Sequence, residues 1–412
     1  MGTIRKITQC RICKSDDLVT FLTFKPMPKP NGFLKKPIKE TRYPLEVCRC
    51  VKCGLVQLRH VINAPKMFEH YLYMTSMSQT MNAHFKKTAK EFVKRFGLKP
   101  RSLVVDIGSN DGTFLSYFDK QSTRTLGVDP ARNLKTVAAA KGVENFVAYF
   151  NPASAQKILK KYGPADVIAG TNVFAHIDNL DGAFEAVNIL LKKEGVLVME
   201  FPYLVDLITK HEFDTIYHEH LSYFLAKPLE YILARHGLEI YDLQRLPTHG
   251  GSIRLYVQRM YERPHAIDPK VEQLYQAEKK LLMYDQATYT LFAKKVRAIP
   301  VGLATVIKKL KARNKRIIGY GASAKANVLL NMCGFGPKDL DYMVDSTPSK
   351  QGLYTPGTHI PIVPEEYLEK DAPEYAILFI WNFKDEVLKK QKNKFLKRGG
   401  HFIIPVPKVS II

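Results

Sequence analysis

Four consecutive side chains able to bind or release protons stand in the stretch TIYHEHLSYF: Tyr217, His218, Glu219 and His220. Histidine has an ordinary pKa near neutrality, so it can serve as a general base toward a weakly acidic C–H group. A phenol or a cation nearby would stabilise the oxyanion that then develops. A metal site and a solvated surface loop are the alternatives. Adjacent residues seldom converge on one ion and the H-E-x-x-H spacing is absent, so the pattern favours acid/base chemistry.

Cysteines are concentrated at the N-terminal end of the chain. Cys10 with Cys13, and Cys50 with Cys53, form two C-x2-C pairs, a spacing typical of a four-cysteine zinc ribbon. Cys48 is left as a spare thiol. The start of the chain lacks the apolar core of a secretion signal, so we expect a cytoplasmic protein. Reducing conditions there disfavour disulfides, and the pattern predicts one structural Zn2+ held by four thiolates.

From about residue 100 the sequence alternates between apolar strands and amphipathic helices. The strands are predicted at SLVVDIG, TLGVDP, ADVIAG and GVLVMEFP, and a helix is predicted at DGTFLSYFDK. This alternation is typical of a doubly wound α/β domain, in which a ligand binds at the carboxyl ends of the strands.

The stretch VVDIGSNDGTFL departs from the dinucleotide pattern G-x-G-x-x-G, because Gly108 alone follows the strand directly. It resembles motif I of the class I methyltransferases that use S-adenosylmethionine. In that resemblance Asp106 faces the amino-acid part of the cofactor, Gly108 allows close backbone approach, and Asp129 accepts the ribose hydroxyls. A generic Rossmann turn is the alternative. The residues assigned to the cofactor are Asp106, Gly108, Asn110, Asp111, Asp129, Asn172 and His176.

A second α/β pattern occupies the C-terminal part of the chain. Gly319, Gly321 and Ala324 in GYGASAKAN fit G-x-G-x-x-[GA], with Asp345 near the distance of the acidic residue in dinucleotide sites. Taken alone, this predicts a nicotinamide cofactor. Lys325 adds a positive charge at the start of the following helix, and such a helix start binds phosphate equally well.

Taken together and in order, the cysteine pairs, VVDIGSNDGTFL, YHEHLSYF with THGGSIR, and GYGASAKAN with VDSTPSKQGLYTPGTHIPI resemble the three-domain sugar C-methyltransferases. These enzymes methylate C3 of nucleotide-linked 4-keto-deoxyhexoses. The resemblance implies a zinc-binding domain over residues 1–68, a central class I methyltransferase Rossmann-like domain over 69–262, a helical connector over 263–298, and a second Rossmann-like α/β domain over 299–412.

The same resemblance assigns roles to individual residues. It implies His220 as the general base, Glu219 as its acidic neighbour and Tyr217 as the phenol near the keto oxygen. A nucleotide-linked keto sugar would lie between the domains. Its expected contacts are Tyr71, Ser76, His249, Lys325 and Asp345.

Charge leaves a second class of function open. The chain carries 62 Lys and Arg against 39 Asp and Glu, a net charge of +23, which favours anionic partners. The basic residues are scattered rather than gathered on one segment, so binding of nucleic acid is not the favoured interpretation. No apolar run has the length of a membrane span. An RNA-binding methyltransferase with a zinc ribbon, or an NAD-dependent oxidoreductase using the glycine turn, remain the alternatives.

Overall fold

The computed structural model describes residues 4–69 and 71–412. Its N-terminal unit holds a small antiparallel sheet in which β2, β3 and β4 are neighbours, and β1 pairs separately with β5. Most of β3 is buried because it is the middle strand between β2 and β4. The elements are β1 (Ile4–Lys6), β2 (Leu18–Met27), β3 (Tyr43–Cys50), β4 (Val56–Leu58), β5 (His60–Ile62) and α1 (Pro65–Phe68).

The middle unit is a seven-stranded sheet in the order β12-β13-β10-β9-β6-β7-β8. Its elements are α2 (Gln79–Arg95), β6 (Leu103–Ile107), β7 (Arg124–Val128), α3 (Lys135–Ala140), β8 (Asn145–Phe146), α4 (Pro152–Tyr162), β9 (Ala165–Thr171), α5 (Leu180–Leu190), β10 (Leu191–Pro202), α6 (Leu204–Thr209), β11 (Ser222–Tyr223), α7 (Ala226–Arg235), β12 (Leu238–Leu246) and β13 (Ser252–Arg259). The strands from β10 to β8 are parallel, whereas β13 and β12 run antiparallel to their neighbours. All five residues of β6 are buried, as expected for a central strand covered on both faces.

The chain leaves β6 toward β7 and later returns to β9 on the other side of β6, so the loops after β6 and β9 flank a crevice. The helix predicted directly after β6 is not formed; the structure has turns and one 3-10 turn at Leu115–Tyr117. Gly112 has φ of +74°, and the Asp111 carboxylate accepts from the backbone N–H of Thr113. Both features favour turns over an α-helix.

The C-terminal unit is a six-stranded sheet in the order β16-β15-β14-β17-β18-β19, parallel except for β19. Its elements, with the two helices before it, are α8 (Lys270–Lys280), α9 (Gln286–Lys311), β14 (Ile317–Tyr320), α10 (Ala324–Cys333), β15 (Met343–Val344), β16 (Ile362–Val363), α11 (Tyr367–Asp371), β17 (Tyr375–Leu378), α12 (Lys384–Gln391), β18 (His401–Ile404) and β19 (Ser410–Ile411). Strand order reverses at β14, so the loops after β14 and β17 flank a second crevice.

Two elements connect the units. Strand β11 pairs with β4 and so joins the middle part of the chain to the N-terminal sheet. Helix α9 runs unbroken across the boundary expected at residue 299, because its apolar face continues through Ile299, Leu303 and Ile307. None of the helices formed by residues 4–69 and 71–412 combines the length and apolar character that a bilayer span requires.

Candidate active site

A cavity of about 680 Å3 adjoins the carboxyl ends of strands from both large sheets. Its wall is shared by the loops after β6, β7 and β9, the segment 71–78, the 212–221 loop between α6 and β11, and the loops after β14, β15 and β17. Most residues assigned to a ligand from the sequence line it. These are Tyr71, Asp106, Gly108, Asn110, Asp129, Asn172, His176, Tyr217, Glu219, His220, His249, Lys325 and Asp345.

The end of the cavity beside β6 and β7 carries two buried carboxyl groups. Burial raises the pKa of Asp106 well above its ordinary value, and the nearby Asp129 raises it further. The Asp129 carboxylate accepts from the backbone N–H groups of Asn110 and Ala131, at 2.9 Å and 2.8 Å. A cationic amino group beside Asp106 and a diol beside Asp129 would be favourable partners. The amino-acid and ribose parts of S-adenosylmethionine supply these two groups.

Gly108, in the loop after β6, has no room for a side chain. Its φ is +68°, and a Cβ added there would lie 2.7 Å from Cγ2 of Val173. Glycine adopts this left-handed conformation without steric cost and lets the backbone approach a ligand closely.

Side-chain amides hold the segment 71–78 over the end of the cavity beside β6 and β7. Asn133 Oδ1 accepts from the Tyr71 N–H at 3.0 Å, and Asn133 Nδ2 donates to the Tyr71 carbonyl at 2.8 Å. Asn110 accepts from the Thr75 N–H and donates to the Tyr73 carbonyl. These bonds hold the segment against the motif I loop.

Two residues assigned to ligands lie outside this wall. Asp111 is fully buried and pairs with Lys141 at 2.8 Å. It also accepts from the Ser76 N–H at 3.1 Å and from the Thr113 hydroxyl at 2.6 Å. Asp111 and Ser76 therefore contact each other and neither lines the cavity, and their assignment to cofactor and substrate stays a prediction.

His220 has its tautomer set by the backbone. Its Nδ1 lies 2.7 Å from the carbonyl oxygen of Thr215. Since a carbonyl only accepts, Nδ1 carries the proton and Nε2 is the basic nitrogen. Burial, followed by the neighbouring His176 ring, holds the pKa of His220 well below its ordinary value. The imidazole is therefore neutral and able to accept a proton at physiological pH.

Aromatic rings enclose this imidazole. The Tyr217 ring centroid lies 4.1 Å from that of His220, and the His176 centroid lies 4.9 Å away in an edge arrangement. Burial raises the pKa of Tyr217 well above its ordinary value, so its phenol stays protonated. A protonated phenol can donate a hydrogen bond to a carbonyl oxygen in the cavity.

Glu219, the acidic neighbour of His220 in sequence, forms its hydrogen bonds with residues of other segments. Its two oxygens accept from Asn31 Nδ2 at 2.7 Å and from the Tyr71 hydroxyl at 2.9 Å. Burial raises the pKa of Glu219 to about 7, although the hydrogen bonds from Asn31 and Tyr71 lower it. Glu219 thus ties the 212–221 loop to the N-terminal unit and to segment 71–78.

His218 and His249 have separate roles. His218 is buried, and its Nε2 lies 3.3 Å from the carbonyl oxygen of Tyr43, which fixes the loop to the N-terminal sheet. His249 has φ of +56°, and its Nε2 lies 3.1 Å from Nδ2 of Asn172. The amide donates, so Nε2 of His249 is unprotonated; burial lowers the pKa of this histidine to about 4. Asn172 and His249 form one wall of the cavity together.

Lysines line the C-terminal end of the cavity. Lys325 follows the N-cap Ser323, whose side chain accepts from the Ala326 N–H and starts α10. Lys350 donates to the Ala322 carbonyl at 2.9 Å and lies 3.5 Å from Asp345. This arrangement places positive charge and a helix N-terminus on the cavity wall.

The four predicted zinc ligands converge. Their Sγ atoms all lie within 4.8 Å of one another, with Cys10 and Cys53 at 3.6 Å and Cys13 and Cys50 at 3.4 Å. Tetrahedral Zn2+ with Zn–S bonds of about 2.3 Å needs sulfur atoms about 3.8 Å apart, so the set fits the ion. Cys48 lies apart, with Sγ 3.5 Å from the Gln57 carbonyl oxygen. Burial raises the pKa of Cys48 to about 12, and it stays a thiol.

Three residues that position the site were not assigned to it from the sequence. Asn31 reaches Glu219 across 188 positions of sequence, the Thr215 carbonyl orients His220, and Trp381 reaches Asp214. A backbone carbonyl has no signature in a sequence. Trp381 alone offered a signal, because it is the single tryptophan of the chain and follows a strand.

Comparison with known proteins decides the family. Three family descriptions match successive parts of the chain: "Putative zinc binding domain" over residues 10–68, "Methyltransferase domain" over 81–243 and "C-methyltransferase C-terminal domain" over 247–407. The C-methyltransferase NovU of Streptomyces niveus is 35% identical over 412 residues, 99% of this chain and 98% of that protein. The chain belongs to the C-methyltransferase family. The family resemblance drawn from the motifs is confirmed, and the enzyme is an S-adenosylmethionine-dependent methyltransferase with an N-terminal zinc-binding domain.

Solved structures of methyltransferases are more distant from this C-methyltransferase. The S-adenosylmethionine-dependent methyltransferase of Anabaena variabilis is 16% identical, covers 43% of this chain and 86% of its own, and has a TM-score of 0.36. Magnesium protoporphyrin IX methyltransferase of Synechocystis is 15% identical, covers 43% of this chain and 79% of its own, and has a TM-score of 0.34.

Proposed function

We propose that this C-methyltransferase acts on the carbon next to the ketone of a nucleotide-linked keto-deoxysugar, with His220 as the general base. The observation that carries the proposal is the Nδ1 contact of His220 with the Thr215 carbonyl at 2.7 Å. That contact leaves Nε2 of His220 as a neutral base in the same cavity as the cofactor residues Asp106 and Asp129.

The chemistry follows from these groups. Nε2 of His220 takes the proton from the α carbon, the C–H electron pair forms the new C=C bond, and the carbonyl π pair moves onto oxygen. When bound, S-adenosylmethionine would supply an electrophilic methyl group: the enolate C=C pair would form the new C–C bond, the S–CH3 pair would leave with the sulfur of S-adenosylhomocysteine, and the C=O bond would re-form. Tyr217 is protonated and can donate to the carbonyl oxygen as its charge grows. Glu219 and Tyr71 hold the loop that carries the base.

The substrate class rests on the C-terminal wall. Asp345, Lys350 and the N-terminus of α10 line the same cavity as the base. A helix N-terminus is a favourable site for phosphate, and a nucleotide-linked sugar would carry its phosphates there, beside Lys350, and its sugar toward His220. Four free thiols arranged for zinc favour a reducing compartment, so the proposal also places the enzyme in the cytoplasm.

Deuterium exchange in D2O tests the proposal. The protein is incubated with a nucleotide-linked 4-keto-6-deoxyhexose, with and without S-adenosylmethionine, and the sugar is followed by mass. We expect deuterium at the α carbon without the cofactor and a methyl gain with it. His220→Asn should lower both rates by about 100-fold to 10,000-fold, the usual contribution of a general base, while its affinity for S-adenosylmethionine stays unchanged.

His218→Asn is the matched comparison, since its ring is bonded to the Tyr43 carbonyl. This variant should retain exchange. Equal loss in both variants would show that the loop, and not the base, was damaged. Absence of exchange and of methyl gain with several nucleotide bases would reject a keto-sugar substrate; methyl transfer to RNA under the same conditions would support the RNA alternative.

A further inference from the structure

Trp381 links the C-terminal unit to the loop that carries the base. It lies directly after β17, at the crevice where strand order reverses. Its Nε1 donates to Oδ2 of Asp214 at 2.6 Å. Asp214 precedes Thr215, whose carbonyl orients His220.

The face of the same indole carries a cation. Nζ of Lys325 lies 4.8 Å from the centre of the Trp381 ring, within the range of a cation–π contact. This Nζ is buried and has no hydrogen-bond partner among residues 4–69 and 71–412. Lys325 nevertheless lines the cavity. A buried ammonium with three unused donors is costly unless a ligand supplies an acceptor.

Other lysines on this wall differ because they already have partners. Lys350 bonds the Ala322 carbonyl and lies beside Asp345, and Lys390 pairs with Glu365. The charge of Lys325 acts instead on the groups around the base, where it lowers the pKa values of both His220 and His249.

We propose that Lys325 is a catalytic residue that stabilises the enolate oxygen formed when His220 removes the α proton, and that Trp381 is the residue that positions it. The inference rests on the proposed function and deepens it. The substrate is neutral at the reacting ketone before proton transfer, and a full negative charge appears on its oxygen afterwards. A cation already fixed in place before proton transfer lowers the energy of the enolate more than that of the ketone.

Two acidic side chains, Glu212 and Asp214, explain how the charge of Lys325 is tolerated before the reaction. Burial raises the pKa of Glu212 to about 7 and raises the pKa of Asp214, while Lys325 lowers both. These carboxyl groups offset the charge of Lys325. The indole N–H occupies Oδ2 of Asp214, while Oδ1 of Asp214 and Oε1 of Glu212 have no hydrogen-bond partner among residues 4–69 and 71–412.

The first test uses Lys325→Met and measures two quantities. One is the rate of α-proton exchange in D2O at saturating keto sugar, without S-adenosylmethionine. The other is the affinity for thymidine diphosphate and uridine diphosphate alone. We expect the exchange rate to fall by about 100-fold or more, as for loss of one oxyanion donor, with both affinities unchanged. Lys325→Arg should recover part of the rate.

Two results would overturn the proposal. A large fall in diphosphate affinity with an unchanged saturating rate would make Lys325 a phosphate anchor. Unchanged rate and unchanged affinity would give it no role. In either case exchange by the unaltered enzyme shows that the proposed function stands; no exchange by the unaltered enzyme shows that the proposed function itself fails.

The second test addresses Trp381. Trp381→Leu removes the ring face, and it should lower the saturating exchange rate while the KM for the keto sugar stays nearly constant. In the Lys325→Met background the same change should have a much smaller effect, since the cation is already gone. Equal effects of Trp381→Leu in both backgrounds, or a change in KM alone, would contradict a positioning role. Trp381→Phe keeps the ring face and should retain more of the rate than Trp381→Leu.

Discussion

Replacing Gly108 with alanine should weaken the binding of S-adenosylmethionine, and a second change at Val173 should restore part of it. Two separate costs arise at this position. The backbone has φ of +68°, where a residue with a Cβ is disfavoured by about 1–2 kcal/mol. The new Cβ would also lie 2.7 Å from Cγ2 and 3.0 Å from Cβ of Val173, and crowding of that kind costs about 1–3 kcal/mol.

Together these terms give about 2–5 kcal/mol if the loop must keep its present conformation to bind the cofactor. Each 1.4 kcal/mol corresponds to about tenfold in affinity, so Gly108→Ala should raise the Kd by roughly 30-fold or more. Val173→Ala removes Cγ2, the atom nearest the added methyl, but keeps the Val173 Cβ at 3.0 Å, so the backbone term and part of the crowding remain. The double variant should therefore bind more tightly than Gly108→Ala but still at least about 5-fold more weakly than the unaltered enzyme, as expected for at least about 1 kcal/mol of strain.

Isothermal titration calorimetry with S-adenosylmethionine measures these affinities directly, without turnover. Val173→Ala alone is the control and should bind nearly normally. Thermal unfolding of all four proteins shows whether the domain stays folded. The reasoning would be refuted by normal cofactor binding in Gly108→Ala, or by a double variant that binds no better than Gly108→Ala.

Two further predictions concern the N-terminal unit and the histidine beside the base. Cys50→Ser should release zinc, while Cys48→Ser should keep one ion per chain because Cys48 lies outside the cluster. Metal analysis of both purified variants measures this. Retained zinc in Cys50→Ser would show that Cys50 is not one of the zinc ligands. Burial lowers the pKa of His218 from 6.5 to about 4, so folding favours its neutral form, and stability present above pH 6.5 is lost as the pH falls toward 4. His218→Phe should therefore reduce the loss of unfolding free energy between pH 7 and pH 5 by about 2 kcal/mol in urea titrations, and an unchanged loss would contradict a buried neutral imidazole.

The sequence by itself determined the parts of this protein that depend on local spacing. Two C-x2-C pairs predicted a cluster that the structure brings together within 4.8 Å. Strand ends marked by Asp106 and Asp129 predicted a cofactor crevice, because parallel strands carry their carboxyl ends to one edge. The family followed from motifs in order along the chain, and the comparisons confirm it.

Local reasoning does not reveal a contact when the partner of a side chain lies far away in sequence. Asp111 stands inside motif I but turns to Lys141 and Ser76. Glu219 adjoins His220 in sequence yet bonds Asn31 and Tyr71. The helix expected after β6 gave way to turns because Gly112 adopts a positive φ.

The tertiary structure alone decided which groups meet at the proposed reacting centre. The tautomer of His220 depends on a backbone carbonyl five residues earlier, and the orientation of a loop is not encoded in residue types. The hydrogen bond from Trp381 to Asp214 joins the C-terminal unit to the loop between α6 and β11, 167 positions away in sequence. Such contacts form because the loops of both crevices line one cavity. The burial of side chains there, and the charges around them, are fixed only once the whole chain has folded.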